Sequence, residues 1–494
     1  EAKAQAMISL FMHGGPAHMD LLDPKTELTK YSGTDYSGEV VYSFVNRASK
    51  KLLGSPWQFS KHGDCGTEVS ELLPHTAGIV DDICVIRSMH SGHNGHEVSI
   101  RYWQQGIPAV VGRPTLGAWL TYALGSESQS LPAFMVLSDP GGHPVDGVLN
   151  WSNGFMPPLF QGTVLRAQEP RILNLDPPPH LKGALQAQNL DLLRTLNRRH
   201  LDLHPGEADL EARIQSYELA ARMQTAAKEA LDISQETEET HKLYGLDRNE
   251  TREYGTRCLI ARRLVERGVR FVQLFLSGQP WDNHTNIRTA LPAICKTTDQ
   301  PAAALVTDLK RRGLLDSTIV HWGGEIGRLP VTQDQGSPEK NGRDHNGQGF
   351  SIWLAGGGIR GGVVHGASDA LGGYPRSGLV RPEDITATMF HCLGFAPETV
   401  APGAGPELGQ REGRRDPTLD ALGVVDGADD GANGDGFIPA THDNFISLMS
   451  ERELQQALTR GHMSLAASKQ QIAAAAPASL AAVVNPTRSA GEGD

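Results

Sequence analysis

Several common classes of protein are excluded by what this chain lacks. Its five cysteines, at positions 65, 84, 258, 295 and 392, stand far apart and form no CxxC pair. That favours buried free thiols over a disulfide framework or a zinc ribbon. No apolar run reaches the roughly 20 residues that cross a bilayer; the nearest, IAAAAPASLAAVV (472–484), is short and broken by proline. A basic excess is missing as well. The 45 Lys and Arg against 57 Asp and Glu leave a net charge of −12, the wrong sign for a general nucleic-acid binder. The opening EAKAQAMISLF lacks the charged, apolar and small-residue regions of a secretory leader, so the expectation is a cytosolic protein or one whose leader has been removed. With 494 residues, 39% apolar and 21% charged, the chain can still bury a large core.

The elements are legible from periodicity. TRCLIARRLVERGVRFVQLFLSG places Leu259, Ile260, Leu264 and Val265 at helical spacing. Gly268 then stands where a left-handed cap belongs, and a continuous apolar strand follows. AALVTDLKRRGLLDSTIVHWGGE repeats the plan around Gly313, with a strand from Thr318 to Trp322. Residues 7–12, ICVIRSMH and GQGFSIWLAGGG read as further buried strands. Apolar strands alternating with helices predict an α/β fold, a mainly parallel sheet with helices on both faces. The Ala/Glu/Leu/Gln-rich segment at about 205–250 reads as a helical insertion, with Leu210, Ile214, Tyr217, Leu219 and Met223 as its apolar stripe. Residues 139–182 read as long loops. The domain is expected to span 1–400, followed by a loosely held Gly/Ala/Asp-rich tail over 401–494.

The nineteen histidines carry the chemistry. HGGPAHMD (His13, His18, Asp20), RSMHSGHNGHE (His90, His93, Asn94, His96, Glu97), LSGQPWDNHTN (Asp282, His284), HWGGEIGR (Glu325, Arg328) and NGRDHNGQG (Arg343, Asp344, His345) all adjoin a predicted strand. In a parallel sheet the carboxyl ends of the strands share one edge, so loops distant in sequence can meet there. Gathered carboxylates repel unless a cation or arginine neutralises them. Mixed His and Asp/Glu donors suit zinc first, then manganese or iron, and calcium least. Such an ion lowers the pKa of bound water or clamps an anionic ester, and Arg328 and Arg343 suit a tetrahedral oxyanion. Three other motifs fail. GGGIRG (356–361) is not followed by a helix, HEVSI has Ile100 in place of a second zincin histidine, and 429–443 departs from the EF-hand pattern at both end ligands.

Taken in order, LFMHGGPAHMDLLDPK, SELLPHTAGIVDDICVIRSMHSGHNGHE, GRPTLGAWLTYALG, WDNH, GGEIGR and GRDHNGQGFSIWLAGGGIRGGVVHGASD resemble the blocks of the domain of unknown function 1501 family. These planctomycete-type exported proteins are placed among the alkaline phosphatase/sulfatase-like folds. The resemblance implies a twin-arginine leader absent from this chain, and a periplasmic or exported location. It also implies metal ligation by His13, Asp282, His284, Glu325, Asp344 and His345, with the nucleophile in HSGHNGHEVS. Ser91 is the best-placed alcohol there, since Ser99 falls within the following helix. His93 and His96 are the acid–base candidates, and Asn94 or His96 is the alternative occupant of the nucleophile's place. No Cys-x-Pro-x-Arg sulfatase signature occurs. The expectation is a metal-dependent hydrolase of phosphate or sulfate esters, small or glycan-borne, without stable membrane insertion and of open oligomeric state. The alternative is a non-catalytic exported binding or envelope protein of the same fold.

Overall fold

A computed structural model describes residues 3–395 apart from 39, 44–47, 107, 109–111, 182 and 206–207. The expected tail and the 429–443 segment lie outside the described residues. Along the chain the strands are β1 (Ala6–Phe11), β2 (Ala48–Leu52), β3 (Phe59–His62), β4 (Thr67–Ser70), β5 (Ile83–Met89), β6 (Phe134–Leu137), β7 (Thr163–Leu165) and β8 (Phe271–Phe275). They continue with β9 (Thr318–Gly323), β10 (Gly327–Gln333), β11 (Gly342–Asn346), β12 (Phe350–Ala355), β13 (Val363–His365), β14 (Ala367–Ser368) and β15 (Pro375–Ser377). The helices are α1 (His18–Leu21), α2 (Thr26–Lys30), α3 (His96–Gln105), α4 (Leu116–Leu124), α5 (Ala184–Leu203), α6 (Ala208–Leu231), α7 (Glu238–Leu243), α8 (Asn249–Val265), α9 (Ile287–Arg311) and α10 (Pro382–Cys392).

Eight strands form the central sheet in the order β13-β5-β12-β9-β1-β8-β6-β7. The pairs from β9 through β1, β8 and β6 to β7 are parallel, whereas β12 runs antiparallel to both β5 and β9. The expected α/β sheet is therefore present, and mixed. Side-chain parity divides its two faces. Ile8 and Leu10 of β1 join a core with Leu259 and Leu264 of α8 and Leu305 of α9. Met7 and Phe11 point the other way, into a core with Ile100 and Trp103 of α3, Leu120 of α4 and Ile385 of α10. Gly268 and Gly313 cap α8 and α9 with positive φ, as the sequence predicts.

One layer of the second face is polar. Ser9, Gln273 and His321 lie side by side on β1, β8 and β9. The Ser9 hydroxyl lies 3.1 Å from His321 Nδ1, Gln273 Nε2 donates to Gln104 Oε1 at 3.0 Å, and the His321 ring stacks on Trp103 with centroids 4.8 Å apart.

The helical insertion begins earlier than the sequence suggests, with α5 at Ala184, and its apolar stripe is only partly used. Met223 is buried in α6, but so are Ala212, Ala227 and Ala230, while Tyr217 is 62% exposed. Small residues let α6 lie close to the body, and the bulky Tyr217 falls on its outer side.

Candidate metal centre

The carboxyl ends of β1, β5, β8 and β9 lie along one edge of the sheet, and the reversed β12 begins there. Segments ending β1 (His13), following β5 (His96), following β8 (Asp282, His284), following β9 (Glu325) and preceding β12 (Asp344, His345) therefore converge. Two glycines permit the closeness. Gly14 has φ of 106°, and a Cβ there would come within 2.5 Å of the Asp282 backbone nitrogen. At Gly347 a Cβ would collide with the His93 carbonyl at 1.9 Å. The 90–95 loop is zipped to this glycine, whose carbonyl accepts from the amides of Ser91 and Gly92 and whose own amide donates to Asn94 Oδ1 at 2.7 Å.

At the centre, Asp282 Oδ1, His284 Nε2 and His345 Nε2 form a triangle. The two imidazole nitrogens are 2.8 Å apart and lie 2.9 and 3.1 Å from the carboxylate oxygen. Each ring is oriented through its other nitrogen. His345 Nδ1 donates to the Asn94 carbonyl at 2.7 Å, and His284 Nδ1 faces Gln333 Oε1 at 2.5 Å. A nitrogen that donates to a carbonyl carries the proton, so in the neutral rings both Nε2 atoms present lone pairs to each other and to a carboxylate. Such an arrangement repels itself unless a positive charge, a proton or a metal ion, stands among the three atoms.

A second group sits behind this triangle. Glu325, fully buried, accepts at Oε1 from the Gly14 amide at 3.0 Å and from His96 Nδ1 at 2.7 Å. His96 opens α3 and turns Nε2 to within 3.5 Å of Asp282 Oδ2. Burial alone would lower the His96 pKa, but the carboxylates of Asp282 and Glu325 outweigh it and raise the value to about 9. Burial alone would raise Asp282; the Arg328 charge and the imidazoles of His284, His345 and His96 hold it well below the usual carboxylate range. Glu325 is likewise lowered by His96 and His13 against the effect of burial. His13 is enclosed by Phe11 and Phe275, and burial holds it down at about 4, with Glu325 raising it and His96 lowering it further. Both His13 nitrogens, Glu325 Oε2 and His96 Nε2 are buried without a hydrogen-bond partner among the described residues. Orphaned donor atoms of nitrogen and carboxylate type beside the triangle fit a divalent metal ion. Among the described residues, two sets of donors are close enough to hold one, His96 with Asp282 and His345, and His284 with Asp344 and His345.

The other expected residues lie elsewhere in the network. Arg328 is fully buried, donating to the carbonyls of Gly14 and Gly15 and to Asp282 Oδ1 at 2.5 Å. It braces the glycine turn and offsets the Asp282 charge. Arg343 is buried against Asp20 in a two-pronged pair at 2.8 and 3.1 Å. Both guanidinium groups are thus committed inside the protein. Ser91 Oγ points to the carbonyls of His93 and Gly347 at 3.3 Å. His90 faces the Gln348 carbonyl, His93 packs edge-on against Tyr102, and His18 bonds the Gly372 carbonyl. Asp344 accepts from the amides of Ser43 and His345 and lies 3.7 Å from His284 Nδ1. Two contributors escape sequence reasoning. Gln333, which orients His284, closes β10 in PVTQDQG without any local signal, and the Asn94 carbonyl that orients His345 is a backbone group.

Among the described residues no helix is long and apolar enough to cross a membrane. No curated protein matches the chain. The family model described as protein of unknown function (DUF1501) matches residues 4–418. The chain belongs to that family.

Proposed function

We propose that this protein is a metal-dependent hydrolase of phosphate or sulfate esters, related to the alkaline phosphatase/sulfatase-like proteins. The observation that carries the reading is the triangle of Asp282, His284 and His345, with its two imidazoles held so that both Nε2 atoms face one carboxylate oxygen. Asp282, His284 and His345 would hold a divalent ion, zinc first among candidates, with Asp344 at its margin. Bound there, the ion supplies charge that draws electron density from an ester oxygen and makes water a better nucleophile at neutral pH. The chain's own residues do the rest. Asn94 and Gln333 fix the two tautomers, and Arg328 compensates Asp282. Glu325, buried behind His96, orients that imidazole as a carboxylate orients a catalytic histidine. His96 then holds a proton at Nε2, available to the leaving oxygen.

The test is metal analysis of the purified protein together with turnover of aryl phosphates, phosphodiesters and sulfate esters. The expected result is stoichiometric metal and activity against one ester class, abolished in Glu325→Ala. Protein free of metal and inert, with the variant indistinguishable from wild type, refutes the reading. A second reading, a non-catalytic exported binding protein, is favoured by the commitment of Ser91, Arg328 and Arg343 to internal contacts. Metal content and glycan binding without hydrolysis would select it. Export is part of both readings, and fractionation of cells expressing the complete gene checks it.

A further inference from the structure

Helix α5 is 20 residues long and none of them is buried, yet it carries a row of leucines. Leu185, Leu192, Leu193, Leu196 and Leu203 are 47%, 59%, 52%, 50% and 76% exposed. At 3.6 residues per turn, Leu185, Leu192, Leu196 and Leu203 fall within about 20° of one line on the helix surface, with Asn189 and Arg199 about 40° to either side. The contacts with α6 come from another side of the helix, through Gln186 to Gln224 at 2.7 Å and Arg194 to Glu218 at 3.3 Å. The stripe therefore faces away from the protein's own body. Exposed leucines spaced seven, four and seven residues apart, with Asn189 and Arg199 filling the intervening four–three positions, match the seam of a coiled coil without its second strand.

The geometry points to a second copy of this chain as the occupant, with α5 pairing antiparallel to itself about a two-fold axis at Arg194. The leucine positions of the seam are symmetric about Arg194. Leu185 meets Leu203 of the second copy, Leu192 meets Leu196, and Asn189 meets Arg199, each contact occurring twice as an isologous interface requires. Leu193 of each copy adds apolar area beside the axis. A parallel pairing would instead set Arg199 against Arg199 at the same layer. The polar Asn–Arg layer thus selects the antiparallel register, as single polar layers do in coiled coils. Two copies joined along this stripe would cover on the order of 1,000 Å² in total, the lower bound for a specific interface. Arg199 is the one charge of the helix within about 40° of the seam line, Asp202 lying about 100° away, so no like pair opposes the contact.

Sedimentation of the full chain between about 1 and 100 μM tests this. Twice the chain mass is expected for wild type. Leu192→Glu with Leu196→Glu should be monomeric, weakened on the order of 100-fold, with unchanged circular dichroism because both side chains already face solvent. In a Cys65→Ser background, Leu193→Cys should give a covalent dimer with a short bismaleimide, and Arg194→Cys, turned toward α6, should not. A wild-type monomer at every concentration overturns the proposal, whether residues 396–494, another protein or a vesicle surface covers the stripe. A dimer that survives both glutamates overturns it equally.

Discussion

Acid should weaken this fold through one identifiable histidine. His321 lies in the middle of β9, fully buried, between Ser9 and the indole of Trp103, with no ionised group beside it. Burial alone lowers its pKa from the ordinary 6.5 to about 3. The unfolded chain therefore binds a proton at this residue between pH 6.5 and 3 that the folded chain refuses, and stability falls as pH falls through that window. Above pH 6.5 the contribution is fully present. The loss is about 1.4 kcal/mol per pH unit, so about 2 kcal/mol is gone at pH 5 and about 5 kcal/mol at the lower limit. Replacing the ring by phenylalanine keeps the stack on Trp103 and removes the titration, leaving the Ser9 hydroxyl without its acceptor. That costs stability about equally at every pH. The assay is urea denaturation of wild type and His321→Phe at pH 7.5 and 5.0. The variant should be the less stable protein at pH 7.5, and it should lose about 2 kcal/mol less than wild type on going to pH 5.0. Parallel losses in the two proteins, agreeing within about 0.5 kcal/mol, would refute the assignment of a neutral buried His321.

Other perturbations have equally definite outcomes. Asp20→Asn leaves the Arg343 guanidinium buried opposite a neutral group, and should destabilise the protein by about 3–5 kcal/mol in urea while leaving metal content at the purified protein's level. His345→Ala removes a corner of the donor triangle, and elemental analysis should find the metal lost although the circular dichroism is retained. Gly14→Ala must move the Asp282 backbone, and is expected to abolish metal retention. Gly95→Ala, with open space around the new methyl, should keep at least half of it.

The strands and their polar ends could be read from the chain because buried β-strands are short apolar runs, and the abrupt change at His13, Met89, Phe275 and Gly323 marks where each leaves the core. The reading stops at the choice among neighbouring histidines. His90, His93 and His96 share one composition. Only the last points at the donor cluster, since α3 starts at His96 and fixes its direction while the loop before it turns the other two aside. Arg343 was equally opaque. Its partner Asp20 lies 323 positions away in the chain, and no local pattern distinguishes a guanidinium that clamps an anion from one that braces a turn. The exposed leucines of α5 were hidden for another reason, because periodicity marks an apolar line without saying whether the protein's own body lies against it.

The reversal of β12 has a consequence for how an ion could come and go. That strand is hydrogen-bonded on both sides, to β5 and β9, at the middle of the sheet. His345 enters just before it and Glu325 leaves just after its neighbour, so both are anchored at the ends of strands paired on two sides. Stripping by a chelator should then leave the backbone in place, and reloading should proceed at the pace of ligand exchange, with no refolding step to wait for.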